Sequence, residues 1–145
     1  MEEPLPPPIP LALVICDGIY TDPHTGRKTL LGLYDEYLSR VFPAVVPVCH
    51  FYAEITECLE PIRLRVRITL ADPEAEATWE SDPLEVVPDS PLSRTALEWG
   101  VSELTFPDIG VYMVELVDEF ERVILSRLLY INEWPRDSPP EDRDE

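Results

Sequence analysis

Apolar and polar residues alternate along three successive stretches of the chain, residues 46–56, 62–70 and 74–80. A period of two residues is typical of a β-strand that buries one face and exposes the other. We therefore predict three consecutive half-exposed strands. The side chains predicted to face the core are Cys49, Phe51, Ala53, Ile55, Leu64, Val66, Ile68, Leu70, Ala75, Ala77 and Trp79.

The chain before these stretches predicts a buried strand and then a hairpin. Residues 11–17 (LALVICD) form a continuous apolar run that is too short for a typical helix and indicates a strand buried on both sides. In the following segment, DPHTGRK at 22–28, Pro23 and Gly26 favour a hairpin turn. Residues 29–38 would form the return strand.

The segments after residue 80 are less regular. Prolines interrupt residues 82–93, so we predict only a short edge strand at 84–87. Residues 94–106 alternate with a one-residue slip near Gly100, which indicates a β-bulge. An amphipathic helix is the alternative interpretation of this segment, and a helical turn at 93–97 is compatible with the strand.

Two apolar segments, residues 110–117 and 122–131, predict a final pair of strands joined by a short acidic turn. The chain then has about eight short strands with turn signals between them, which is typical of an all-β, antiparallel β-sandwich. We predict a single domain at residues 11–134. The proline-rich residues 1–10 would form an extended arm, and residues 135–145 a disordered acidic tail.

The segment FPDIGVYMV carries the pattern Asp-x-Gly-x-Tyr-x-Val at Asp108, Gly110, Tyr112 and Val114. This pattern resembles the tyrosine corner of immunoglobulin-like domains, in which the tyrosine hydroxyl bonds to upstream backbone. The resemblance implies an immunoglobulin-like sandwich. Val114 stands where such domains often have a disulfide cysteine, so the core would contain no disulfide.

A second pattern covers residues 11–131. It consists of Cys16–Asp17, then Thr25–Gly26 with Lys28, then Leu30, Gly32 and Tyr34, and a late Gly110-x-Tyr112 strand. This pattern resembles a family of short uncharacterised bacterial proteins. The resemblance implies the fold and the domain limits, and it implies no activity.

The charge of the chain limits its partners. It has 145 residues with 29 Asp and Glu against 11 Lys and Arg, a net charge of −18. Such a surface repels nucleic-acid phosphates and anionic lipids, and no apolar run approaches the length of a membrane helix. The first residues lack the basic start and apolar run of a signal peptide. We therefore expect a cytoplasmic protein with reduced cysteines.

The residues with catalytic or metal-binding chemistry are few: Cys16, His24, Cys49, His50 and Cys58. They show none of the paired spacings of zinc sites, so we predict no metal and no cofactor. Adjacent strand residues point to opposite faces, so Cys49 and His50 cannot act together, whereas Cys16 with His50 across two strands stays open. Hence we predict no catalytic residue.

Arg63, Arg65 and Arg67 form a positive stripe on the polar side of one predicted strand. Such a stripe could bind an acidic partner or carboxylate ligand, but pairing with glutamates on neighbouring strands is the interpretation we favour. We expect His50 and Tyr52 to be exposed beside the stripe. This face is then the best candidate for a contact with a partner.

The leading functional hypothesis is a non-enzymatic accessory module that binds another protein through a sheet edge or the arginine face. Self-association through an edge strand is a variant of it. An enzyme or metal protein whose site no motif reveals is a second hypothesis. The third is an acidic inhibitor that imitates nucleic acid, which the charge favours and the three arginines oppose.

Overall fold

The computed structural model of the protein describes residues 4–71 and 77–135. Within these ranges the chain forms strands and no helix, so none of it is a helix that could cross a membrane. The strands are β1 (Ile9–Cys16), β2 (Gly18–Thr21), β3 (Lys28–Leu31), β4 (Glu36–Ser39), β5 (Ala44–Thr56), β6 (Ile62–Leu70), β7 (Ala77–Glu80), β8 (Leu84–Val86), β9 (Thr95–Phe106), β10 (Gly110–Asp118) and β11 (Val123–Glu133).

The strands form a β-sandwich of two main sheets. The smaller sheet has the order β1-β5-β9, and the larger has the order β4-β11-β10-β6-β7, with β8 also pairing with β6. Strands β2 and β3 form a separate hairpin. Every pair is antiparallel except β4 with β11, which is parallel. The predicted all-β antiparallel sandwich is therefore confirmed.

The core lies between the inward rows of the two sheets. Leu64, Val66 and Ile68 of β6 are fully buried, and so are Cys49 and Phe51 of β5. The Phe51 ring stacks on the ring of Trp79 of β7 with centroids 5.7 Å apart, which joins the two layers. The predicted inward rows of 46–56 and of 62–68 are confirmed. Residues 74–76 of the third predicted strand lie outside the described residues.

Tyr112 closes the β9–β10 corner as its motif predicts. Its ring is fully buried and meets the Phe106 ring edge-on, with centroids 4.9 Å apart. Its hydroxyl donates a 2.8 Å hydrogen bond to the carbonyl oxygen of Asp108 and accepts one from the Asp108 amide. The predicted bond to upstream backbone is confirmed, and the contact between the Phe106 and Tyr112 rings joins the two sheets at this corner.

The strand count exceeds the predicted eight because one predicted strand is divided and short strands were missed. The hairpin at 22–28 is confirmed, with Thr21 opposite Lys28 and Gly26 at φ 75°. The predicted return strand 29–38 is confirmed for residues 29–31 and wrong beyond them, because the chain breaks at Gly32, where φ is 67°, and the later part crosses to the larger sheet as β4. Strand β1 begins at Ile9, inside the predicted arm.

The irregularity in the ninth strand lies at Glu103 and not near Gly100. Glu103 has φ 53°, but the β5–β9 register is the same on both sides of it, from Val46–Leu104 to Val48–Ser102, so the predicted β-bulge is wrong. The predicted slip of the inward row is confirmed, since the buried set passes from Leu97 and Trp99 to Leu104 and Phe106. Pro47 stands between those positions on β5, and a proline has no amide to donate to the ladder. On both strands, the set of alternate residues that faces the core changes at this point. Residues 95–106 are a strand, so the helical alternative and the helical turn at 93–97 are wrong.

Candidate partner-binding surface

The arginine stripe lies on the outer face of the larger sheet, where glutamates surround two of its three members. Arg65 Nε donates to Glu80 Oε1 at 2.8 Å, and its Nη2 lies 2.7 Å from Glu121 Oε2. Arg67 lies 3.0 Å from Glu115 and 3.2 Å from Glu121. The bond to Glu80, more than any other contact, raises the pKa of Arg65.

The strand register explains this pairing. Strand β6 runs between β7 and β10, so that Arg67 stands opposite Glu80 on one side and Glu115 on the other. Cross-strand neighbours of opposite charge stabilise a sheet. The favoured interpretation of the stripe, pairing with neighbouring acids, is confirmed for Arg65 and Arg67. Arg63 is exposed, and its guanidinium has no ion pair within the described part of the chain.

His50 and Tyr52 do not lie beside this stripe. They alternate with the buried Cys49 and Phe51 on β5, so they face outward from the smaller sheet. Arg63, Arg65 and Arg67 face outward from the larger sheet, on the opposite side of the sandwich. The expectation of one shared surface is wrong, because alternation shows which residues share a strand face and not which sheet the strand joins.

Tyr52 is buried and not exposed as predicted, with 8% of its surface accessible. The β2–β3 hairpin lies across this face, where Lys28 Nζ bonds Glu98, the residue directly opposite Tyr52 on β9. The Tyr52 hydroxyl donates to Glu54 Oε2 at 2.8 Å. Burial, followed by this bond to a carboxylate, raises the pKa of Tyr52 to about 12.

The raised pKa of Tyr52 predicts a loss of stability in alkali. The unfolded side chain has its ordinary pKa of 10.0, and the folded one a pKa of about 12. The contribution of Tyr52 to the free energy of unfolding is therefore complete below pH 10 and should be lost as the pH rises through 12. We expect Tyr52→Phe to show a smaller decline, measured by urea unfolding at pH 9, 10 and 11. Equal declines in the two proteins would contradict this prediction.

The three cysteines are buried thiols, and one of them stands beside a histidine. Cys16, Cys49 and Cys58 are free and buried, and burial raises the pKa of Cys49 to about 11. Cys16 lies directly opposite His50 in the β1–β5 register, but burial also raises the pKa of its thiol. A nucleophile needs the thiolate, which a raised pKa disfavours. No group of three metal-ligating side chains occurs among the described residues.

The outer face of the larger sheet carries an apolar patch that the sequence interpretation missed. The patch consists of Val111 and Met113 on β10 and Leu128 and Tyr130 on β11. Val111 stands directly opposite Tyr130, and Met113 opposite Leu128. Leu128 and Tyr130 are each 39% exposed. Two adjacent cross-strand pairs therefore present four apolar side chains together, whereas exposed apolar residues scattered singly are ordinary.

Polar residues surround the apolar patch on the same sheet face. Thr69 of β6 stands opposite Met113, and Glu36 of β4 stands beside Tyr130. The next cross-strand pair is Glu115 with Ser126, where the glutamate–arginine network begins. An apolar centre within a polar rim is the usual composition of a protein-binding surface.

A sequence signal for the patch exists. Residues 110–114 and 123–131 are apolar at most positions, and they do not alternate as 62–70 does. An antiparallel strand with one solvated face alternates, so near-continuous apolar character indicates that both faces of β10 and β11 can contact protein.

Comparison with known proteins gives a family and no activity. The model of a protein family described as a family of unknown function (DUF6941) matches residues 11–125. A comparison with curated proteins finds no match to the chain.

Proposed function

The chain belongs to the DUF6941 family, whose function is unknown, and we propose that it is a non-enzymatic module that binds a partner protein. The surface is the apolar patch of Val111, Met113, Leu128 and Tyr130 with its polar rim. The observation that supports this is the register itself, which places two apolar pairs side by side on a sheet face, with Val111, Leu128 and Tyr130 exposed and Met113 half-buried. Burial of this apolar area against a partner would lower the free energy of the complex.

The partner that fits this surface is a basic protein with an apolar contact area. The chain has a net charge of −18, and the rim carries Glu36 and, in its ion pair with Arg67, Glu115. Long-range electrostatics would attract a basic partner and repel a second copy of the chain. Contact in the patch would then supply the short-range binding free energy.

The cytoplasm is the compartment we propose for this module. All three cysteines are buried thiols with no disulfide among the described residues, which suits a reducing environment. We also propose an immunoglobulin-like relationship and a bacterial source. The Tyr112–Asp108 hydrogen bonds support the first, and the resemblance at Cys16–Asp17 through Tyr34 supports the second.

A matched pair of substitutions tests the patch. The partner is purified from the native host with the wild-type chain as bait, and its affinity is then measured by calorimetry. We expect Leu128→Glu to weaken binding at least about tenfold, because a charge enters a desolvated contact. Val48→Glu is the control, since Val48 is 54% exposed on the other sheet, and it should leave the affinity within about twofold.

Three results would contradict the proposal. The first is that both variants bind the purified partner equally well while both show wild-type melting temperatures. The second is that the bait retains no protein. The third comes from sedimentation: a wild-type dimer that Leu128→Glu converts to a monomer would make the patch an interface between copies of this chain.

A further inference from the structure

A groove of about 430 Å³ lies between the edge of β9 and the end of β7. One wall is the stretch of β9 at residues 98–102, five consecutive residues of a single strand. The other wall is Trp79 and the three residues that follow it, Glu80, Ser81 and Asp82. Consecutive strand residues point to alternate faces of a sheet. A groove that five of them line in sequence therefore runs along the edge of the strand, where the main chain is exposed.

Strand β9 is an edge strand. It pairs with β5 on one side through its whole length, Thr95–Phe106. Among the described residues, no backbone hydrogen bond joins residues 95–106 to any segment other than β5. An edge strand presents alternate amides and carbonyls that can pair with another extended chain. The free edge of β9 is therefore a template for one more strand.

The second wall, residues 79–82, lies alongside this edge and encloses the groove. The Trp99 indole donates to the Asp82 carbonyl oxygen at 3.1 Å, and the Trp79 ring stacks on Phe51 in the core. These contacts fix the segment 79–82 beside the edge. The net charge of −18 opposes pairing of this edge with the same edge of a second copy, whereas the groove leaves space for an extended segment of another chain. These observations favour a peptide over self-association.

The charge of the groove selects the kind of peptide. Glu80, Asp82 and Glu98 line it. Glu80 pairs with Arg65 and Glu98 with Lys28, whereas the exposed Asp82 carboxylate has no ion pair among the described residues. With the net charge of −18, this lining attracts a cationic segment.

We propose that an extended segment of a partner, with Lys or Arg at alternate positions, adds to β9 as a fourth strand of the smaller sheet. Main-chain hydrogen bonds would supply the affinity, and the basic side chains facing Asp82 would supply selectivity. This site is separate from the apolar patch, on a different sheet, and does not depend on it.

The probe for this site is a synthetic peptide of about seven residues in which Lys and Val alternate. Two N-methylated versions distinguish strand addition from charge attraction, one methylated on the Lys amides and one on the Val amides. Only one set of amides faces β9 in a paired strand. We expect one version to lose more than about tenfold in affinity by calorimetry and the other to bind like the parent.

Charge reversal in the groove is the second measurement. Asp82→Lys should weaken the parent peptide about threefold to fivefold, the effect of one exposed ion pair. Asp89→Lys makes the same charge change at an exposed position outside the groove lining and should leave the affinity nearly unchanged. Hydrogen exchange should show that the peptide protects amides within residues 98–102.

Several outcomes would overturn the proposal. It fails if the parent peptide does not bind, or if the two N-methylated peptides bind equally well, which indicates attraction by net charge alone. It also fails if Asp89→Lys weakens binding as much as Asp82→Lys, or if no amide in residues 98–102 gains protection. None of these results bears on the apolar patch.

Discussion

Replacing Asp118 with alanine is expected to lower the free energy of unfolding by about 4 kcal/mol. The Asp118 side chain is fully buried at the end of β10. Its Oδ1 accepts hydrogen bonds from the amides of Phe120 at 2.9 Å and Arg122 at 2.8 Å. Its Oδ2 accepts one from Arg122 Nε at 2.7 Å. Alanine removes all three bonds and leaves two amides and a guanidinium without this acceptor.

The loss should extend beyond the β10–β11 turn. Arg122 also donates from Nη1 to the carbonyl oxygen of Leu5 at 2.8 Å, so the carboxylate positions a side chain that holds the segment before β1. We expect Asp118→Asn to cost about 2 kcal/mol, since Asn can still accept from the amides but presents its NH₂ group to Arg122.

Urea denaturation followed by tryptophan fluorescence measures these effects. Asp89→Ala, at an exposed position, is the control and should change stability by less than about 0.5 kcal/mol. Domains of ordinary stability unfold with about 5–15 kcal/mol, so a loss of about 4 kcal/mol would remove between about a quarter and most of the free energy of unfolding. A loss below about 1 kcal/mol would contradict the structural role given to this carboxylate.

The parts of the fold that the sequence predicts are those set by short-range geometry. A strand has only two faces, so the alternation at 62–70 places Leu64, Val66 and Ile68 in the core without any knowledge of the neighbouring strands. Tyr112 and Asp108 are four residues apart, so their motif contains the whole interaction. The turn at Gly26 is equally local.

The parts that sequence reasoning missed depend on contacts between distant segments. Beside the buried Tyr52, Lys28 of the hairpin bonds Glu98, 70 residues further along the chain. No local pattern indicates that the hairpin covers this face. Strand β4 pairs in parallel with β11, which likewise joins segments far apart in sequence. The candidate surface was misassigned for the same reason, since sheet membership of β5 and β6 is a long-range property.

Two glycines with similar backbone conformation should differ strongly in their tolerance of alanine. Gly26 and Gly32 both have positive φ, at 75° and 67°. A Cβ at Gly26 would meet nothing within 4 Å, so Gly26→Ala should cost only the conformational strain, about 1 kcal/mol. A Cβ at Gly32 would overlap Oδ2 of Asp17 and lie 2.8 Å from its Cγ.

Gly32→Ala should therefore cost about 3 kcal/mol, the strain together with the displacement of Asp17. Rotation of the exposed Asp17 carboxylate would not remove the contact with its Cβ at 3.1 Å, because the backbone holds that atom: the Asp17 amide donates to the carbonyl oxygens of Leu31 at 2.8 Å and Gly32 at 3.2 Å. These bonds hold the chain as it leaves the hairpin and turns toward β4. Any shift at this point also disturbs the Tyr34 amide, which donates to the Ile15 carbonyl oxygen at 3.2 Å.

A double-mutant cycle separates the clash from the strain. In the Asp17→Ala background the carboxylate atoms that a Cβ at Gly32 would meet are gone, so Gly32→Ala should cost nearer to 1 kcal/mol there. The difference of about 2 kcal/mol between the two backgrounds measures the contact between the two residues. Urea unfolding of the four proteins and of Gly26→Ala supplies the values. Equal losses in the free energy of unfolding for Gly26→Ala and Gly32→Ala would contradict this prediction, because the contact with Asp17 would then add no cost at Gly32.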